Sequence, residues 1–184
     1  MGWLSMDGVE EAVALKDNTY FLSHDVTGKK NVNGAIFADS AMTLMTRPYT
    51  VYLFGHNMKS GNMFGRLRKY KEGAYYYRHR IIRYDSMYED GQFAVFAVAE
   101  ISTKTGDPAY FDLWSLDSDR VDAREAALNE LISRSRHGNV VDVRPDEQML
   151  VLVTCCGREE DRLLVAARRL RDGESENRLT LPPF

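Results

Sequence analysis

Cysteine is nearly absent from this chain: two in 184 residues, both in the single dipeptide Cys155-Cys156. Adjacent cysteines cannot build a framework of long-range disulfides, and they leave the redox compartment open. Long apolar runs are missing too. Nothing approaches the roughly 18 apolar residues of a transmembrane helix. No signal peptide is expected within the chain, because Met1-Gly2-Trp3 leads directly into folded-looking sequence. Charge of one sign is also lacking: the net charge is −3, and Lys and Arg are spread along the chain. That distribution offers no nucleic-acid surface. There is no internal repeat and no low-complexity stretch. The two cysteines and a distant histidine have no metal-ligand spacing, so neither a metal nor a cofactor is expected.

What remains is an ordinary globular composition, 44% hydrophobic and 28% charged. The length suits one domain with a core large enough to hold a preformed site. That domain is placed at residues 1–171, with 1–26 as an N-terminal lead in which Asp17 caps a short helical turn. Residues 172–184, polar and then Pro-rich, are expected to form a loose tail. Short runs rich in β-formers follow the lead: Ala35-Ile36-Phe37-Ala38, Thr50-Val51-Tyr52-Leu53-Phe54 and Phe93-Ala94-Val95-Phe96-Ala97-Val98. Turn dipeptides such as Asn33-Gly34 and Asp90-Gly91 separate them. Tyr75-Tyr76-Tyr77 reads as strand packing, Arg66 to Lys71 as a solvated basic face, and Arg168, Arg169 and Arg171 as surface charge. Residues 119–136 carry Val121, Ala127, Leu128, Leu131 and Ile132 at helical spacing, closed by Gly138. Strand-like runs then resume at Val140–Val143, Met149–Val153 and Leu163–Ala167. The predicted fold is mainly β: a closed barrel of about eight strands, a short helical lead, and one long helix inserted before the strand that carries the cysteines.

Three residues at the edges of these runs carry chemistry. Cys155 follows Met149–Val153 at a strand terminus. Taken alone it reads as a buried structural thiol. Neighbouring strand residues face opposite sides, so only one of Cys155 and Cys156 can point into a given cleft. His56 follows a buried strand and precedes the turn-rich Lys59-Ser60-Gly61-Asn62, a loop mouth of the kind where functional side chains concentrate. An imidazole there could lower the thiol's pKa, protonate a leaving amine and later deprotonate an incoming one. His24, His79 and His137 lie in charged surroundings and carry no such signal. Arg162 opens Leu163–Ala167 after a short loop. If that loop is a hairpin, its guanidinium lies beside Cys155 and can hold a developing oxyanion. Arg158, at the loop tip, competes for this role, and a surface ion pair is the plain alternative for either arginine.

Three blocks resemble the sortases, and among them class B. They are the lead Gly2-Trp3-Leu4-Ser5-Met6-Asp7-Gly8 continuing to Lys16–His24, the histidine block Leu53–Gly65 with Gly55-His56-Asn57, and Leu152-Val153-Thr154-Cys155 followed by Arg162–Ala166. The resemblance covers roughly residues 2–171, and the 119–136 segment falls where class B inserts a helix. It implies a transpeptidase with His56, Cys155 and Arg162 as catalytic residues and Phe54, Asn57, Val153 and Thr154 as substrate contacts. The family cleaves a C-terminal sorting signal after threonine through a thioester, then transfers the acyl group to an amine from peptidoglycan or a pilin lysine. Implied partners are sorting-signal-bearing surface or pilin proteins. The implied place is the extracellular face of a Gram-positive cell membrane, with an anchor outside this sequence. Two departures stand out: Val153 where the family often has Ser, and Cys156 after the nucleophile. Rival readings are a cysteine peptidase that delivers the acyl group to water and a non-catalytic surface-binding domain. The clustered His-Cys-Arg motif of L,D-transpeptidases is missing.

Overall fold

The computed structural model describes residues 2–41, 48–138 and 140–179. Eight strands close into a barrel: β1 (Gly2–Met6), β2 (Val9–Ala14), β3 (Ile36–Ala38), β4 (Thr50–Phe54), β5 (Ile81–Ser86), β6 (Gln92–Ser102), β7 (Met149–Cys155) and β8 (Asp161–Arg169). Their order around the barrel is β1-β2-β3-β4-β7-β8-β6-β5, with β5 returning to β1. Most neighbours are antiparallel. The exceptions are β2 with β3 and β4 with β7, and the second of these parallel pairs positions the site.

Alternation along the strands builds two cores. Leu4, Val51, Leu53, Ile82, Leu150, Leu152 and Val165 fill the barrel interior. Tyr52, Phe96, Val151, Val153 and Leu164 face outward and are covered by the 3-10 turn Leu113–Asp117 and by helix α2 (Val121–Ser133). β7 is therefore buried on both sides, which is why it reads as a continuous apolar run rather than an alternating one. Each such fully buried aliphatic side chain contributes roughly 1.5–3 kcal/mol. α2 presents Arg124, Ala127, Leu128 and Leu131 to this second core. It ends at Ser133, ahead of Gly138, whose positive φ of 68° serves a following turn instead.

Four sequence expectations need correction. The lead is not mainly helical: residues 2–14 form a β-hairpin that belongs to the barrel, and its helical part is only the turn Tyr20–Leu22. The cause is local, because Met6 pairs with Val9 across Asp7-Gly8, and Gly8 supplies a φ of 66°. Asp17 does organise the helical turn, accepting from the Thr19 and Tyr20 amides. Tyr75-Tyr76-Tyr77 lies in a short helix, α1 (Gly73–Arg78), not in a strand. With the preceding 3-10 segment Phe64–Lys71 it packs Leu67, Tyr70, Tyr75 and Tyr76 against the interior core. Val140–Val143 forms no strand among the described residues, yet Val141 is buried against the outer core. Arg168 is no surface charge: it is fully buried, paired with Glu174 and donating to the Asp142 carbonyl. Glu174 belongs to the segment expected to be a loose tail. Residues 180–184 of that tail lie outside the described residues.

Candidate active site

β4 and β7 run parallel and in register, with Phe54 opposite Val153. Continued past the end of β4, that register sets Gly55 beside Thr154 and His56 beside Cys155. Three hydrogen bonds hold the continuation. The Gly55 amide donates to the Val153 carbonyl at 3.3 Å. Thr154 Oγ1 donates to the Gly55 carbonyl at 2.7 Å, and Asn57 Nδ2 to the Cys155 carbonyl at 2.8 Å. Both chain neighbours of His56 are thus bonded to the strand end that carries Cys155.

Alternation fixes the faces. Leu150 and Leu152 point inward, Val151 and Val153 outward, so Cys155 points outward, and it is exposed. A side chain at Gly55 would point inward onto Phe64 and Ile36, which leaves His56 on the outer face with Cys155. Cys155 also pairs with Arg162 across the β7–β8 hairpin. The expected histidine, cysteine and arginine therefore converge on one outer edge of the barrel.

The imidazole is held from behind. His56 Nε2 lies 2.7 Å from the Leu22 carbonyl. A carbonyl oxygen only accepts, so Nε2 carries a proton, and Nδ1 is the nitrogen that can take or give one. Gly34 makes this contact possible. Its φ is 61°, and a Cβ there would lie 2.3 Å from the Phe21 carbonyl and 3.2 Å from the His56 ring. Asn33-Gly34 was legible as a turn, but its place behind the imidazole was not.

The two arginines differ. Arg158 is engaged by Asp161 and by Asp107 at 3.0 Å, and those carboxylates raise its pKa further. Arg162 Nη1 donates to the carbonyls of Glu159 and Asp161. Its Nε and Nη2 form no hydrogen bond among the described residues, which leaves one edge of the fork open, and the register puts Arg162 on the same face as Cys155.

The remaining expected contacts are placed as follows. Phe54 is half-buried, stacked on Phe37 at 5.6 Å. Val153 and Thr154 are each 2% exposed, buried in β7, with the Val153 carbonyl and the Thr154 hydroxyl both bonded to Gly55. Asn57 directs its amide at Cys155. Trp114 escaped the sequence reading. Asp112 caps its turn, its ring lies 5.0 Å from Tyr52 and 6.3 Å from Phe54, and it remains 49% exposed. A tryptophan just after the run Tyr110-Phe111 was the available signal, but only the fold brings it to this face. Cys156 packs against the interior core, and its thiol is pushed up to about 11 by burial first and by Glu100 second. No group of three or more His, Cys, Asp or Glu among the described residues could hold a metal.

Comparison with known proteins decides the family. The sortase domain family matches residues 11–170. The chain belongs to the sortase family. Within it the similarity is to class B. Sortase B of Listeria monocytogenes is 28% identical over 160 residues, which is 84% of this chain and 62% of that protein. The chain therefore spans less than two thirds of that curated relative. A crystal structure of sortase B from B. anthracis in complex with AAEK2 superimposes with a TM-score of 0.80 at 26% identity, covering 92% of this chain and 77% of that one. The structure of sortase B from Listeria monocytogenes gives 0.76 at 26% identity, covering 91% and 92%. Sortases are generally cysteine transpeptidases of Gram-positive cell surfaces. No helix among the described residues of this sortase is long and apolar enough to cross a membrane.

Proposed function

We propose that this sortase domain is a cell-surface cysteine transpeptidase that cuts a C-terminal sorting signal after threonine and passes the acyl group to an amine. The observation that carries the reading is the extension of the β4–β7 register, which sets His56 beside an outward-facing Cys155 with Arg162 opposite. The Cys155 thiolate attacks the scissile threonine carbonyl, forming a C–S bond and a tetrahedral oxyanion. The open edge of Arg162 donates to that oxygen, where it counts most as charge builds. Imidazolium His56 gives its Nδ1 proton to the leaving amine as the C–N bond breaks, which leaves a thioester. An acceptor amine then attacks, His56 takes its proton, and the Cys155 thiolate departs.

Phe54 and Trp114 offer an apolar wall for the bound peptide beside the thiol. The acceptor, a peptidoglycan peptide or a pilin lysine, meets the thioester on the exposed side of Cys155. The whole protein acts at the outer face of the cell membrane on sorting-signal-bearing surface or pilin proteins. The test is incubation with a small set of sorting-signal peptides, with and without amines, and products read by mass. Acyl transfer to the amine is expected. Equal release of free acid with and without amine would make the protein a peptidase, and an unreactive Cys155 would make it a binding domain.

A further inference from the structure

We propose that Asn57 is a positioning residue that holds the thiol of Cys155 in register with His56, and not a substrate contact; the proposal rests on Cys155 being the nucleophile. The parallel ladder between β4 and β7 breaks where the site begins. Gly55 still donates its amide to Val153. The next rung would come from the backbone amide of residue 57 to the carbonyl of Cys155. The chain has already turned away there: Asn57 bridges to Met63 instead, and the amides of Met58 and Phe64 both return to the His56 carbonyl. The side-chain amide of Asn57 replaces the missing rung, with Nδ2 2.8 Å from the Cys155 carbonyl.

The rest of this side chain does nothing comparable. Oδ1 is buried and has no hydrogen-bond partner among the described residues. The amide is thus placed for its donor alone. Its loop is closely packed: Met63 takes a φ of 49°, and a Cβ on Gly65 would lie 2.1 Å from the Met58 carbonyl. A fixed donor on the strand end sets where the thiol stands relative to the ring, and a 1 Å displacement of a reacting group can lower a rate by about 10²-fold.

The experiment uses Asn57→Ala and Asn57→Asp. Aspartate keeps the shape but has no donor, and it decides the question if the alanine variant melts abnormally. The peptide-free readout is the pH profile of Cys155 alkylation by iodoacetamide, with adduct position read by mass. Both variants should shift that profile and lower kcat by about 10- to 10²-fold with little change in KM. An unchanged alkylation profile with kcat preserved and KM raised would overturn the proposal and make Asn57 a substrate contact. Should the wild type alkylate at Cys155 yet transfer no acyl group from any peptide, the activity reading fails, while the alkylation profiles still decide the role of Asn57.

Discussion

Cys155 and Cys156 share a peptide bond and occupy two different regions of the molecule. Cys155 stands on the outer edge of the barrel, exposed, beside the extension of β4 that carries His56. Cys156 turns toward the interior, where burial and the negative charge of Glu100 push its thiol up to about 11. Two identical side chains are thus given opposite surroundings by the alternation of the chain at the end of β7. The face a residue takes decides its surroundings in this fold, and composition alone does not reveal that.

The largest effect should separate the two thiols. Cys155→Ala should abolish cleavage and thioester formation, and Cys156→Ala should keep most activity, as measured by turnover of a sorting-signal peptide. Equal inactivation by both substitutions would mean that the interior face takes part directly. Next come the arginines. Arg162→Ala and Arg162→Lys should each lower kcat by about 10²–10³, since lysine has no planar fork to replace the lost donors. Arg158→Ala, which among the described residues loses contacts to Asp107 and Asp161, should leave kcat near wild type. A crippled Arg158→Ala beside an active Arg162→Ala would move the oxyanion contact to the loop tip.

A third arginine sharpens the contrast between chemistry and architecture. Arg168 lies on the same strand as Arg162 but is fully buried against Glu174. Glu174→Ala removes the carboxylate that pairs with that buried guanidinium, leaving it its carbonyl contacts and the more distant Glu147. The substitution should lower stability by about 3 kcal/mol, read by denaturant unfolding, with kcat/KM unchanged in the folded protein. The smallest effect is a pH dependence. Burial pushes the Cys156 thiol up to about 11 in the folded protein, from an ordinary 9.0. The folded state holds that proton more tightly, so the stabilisation is complete below about 9 and is lost as pH rises toward 11. Cys156→Ala should flatten this decline in a melting-temperature series from pH 8 to 11. An identical decline in the variant would assign it to other groups, with the buried tyrosines first among them.

Much of this was legible in the residues. The β-rich runs, their turns and the helical spacing of Ala127, Leu128 and Leu131 give a barrel with one inserted helix. Gly55-His56-Asn57 and Thr154-Cys155 stand at strand ends, where alternation already separates the two thiols. Other features depend on contacts far apart in sequence. Tyr75-Tyr76-Tyr77 has strand propensity, yet its place against the interior core makes it helical, a tertiary override of a weak local preference. The N-terminal hairpin was missed although Asp7-Gly8 is a strong turn signal. Arg168 sits in a charged run whose sequence cannot show that Glu174 and Asp142 surround it. Leu22, Gly34 and Trp114 reach the site only through the fold. So does the bond from Asn57 to Cys155, which spans 98 residues of chain.

The most direct test of the central claim is mass analysis of the protein after brief incubation with a sorting-signal peptide, followed by addition of an amine. The account predicts an acyl adduct on Cys155, present in the Cys156→Ala variant and absent in Cys155→Ala. That adduct should disappear on amine addition as an acyl-amide product forms. An adduct on Cys156, or an adduct on Cys155 released only as free acid however much amine is supplied, would contradict it.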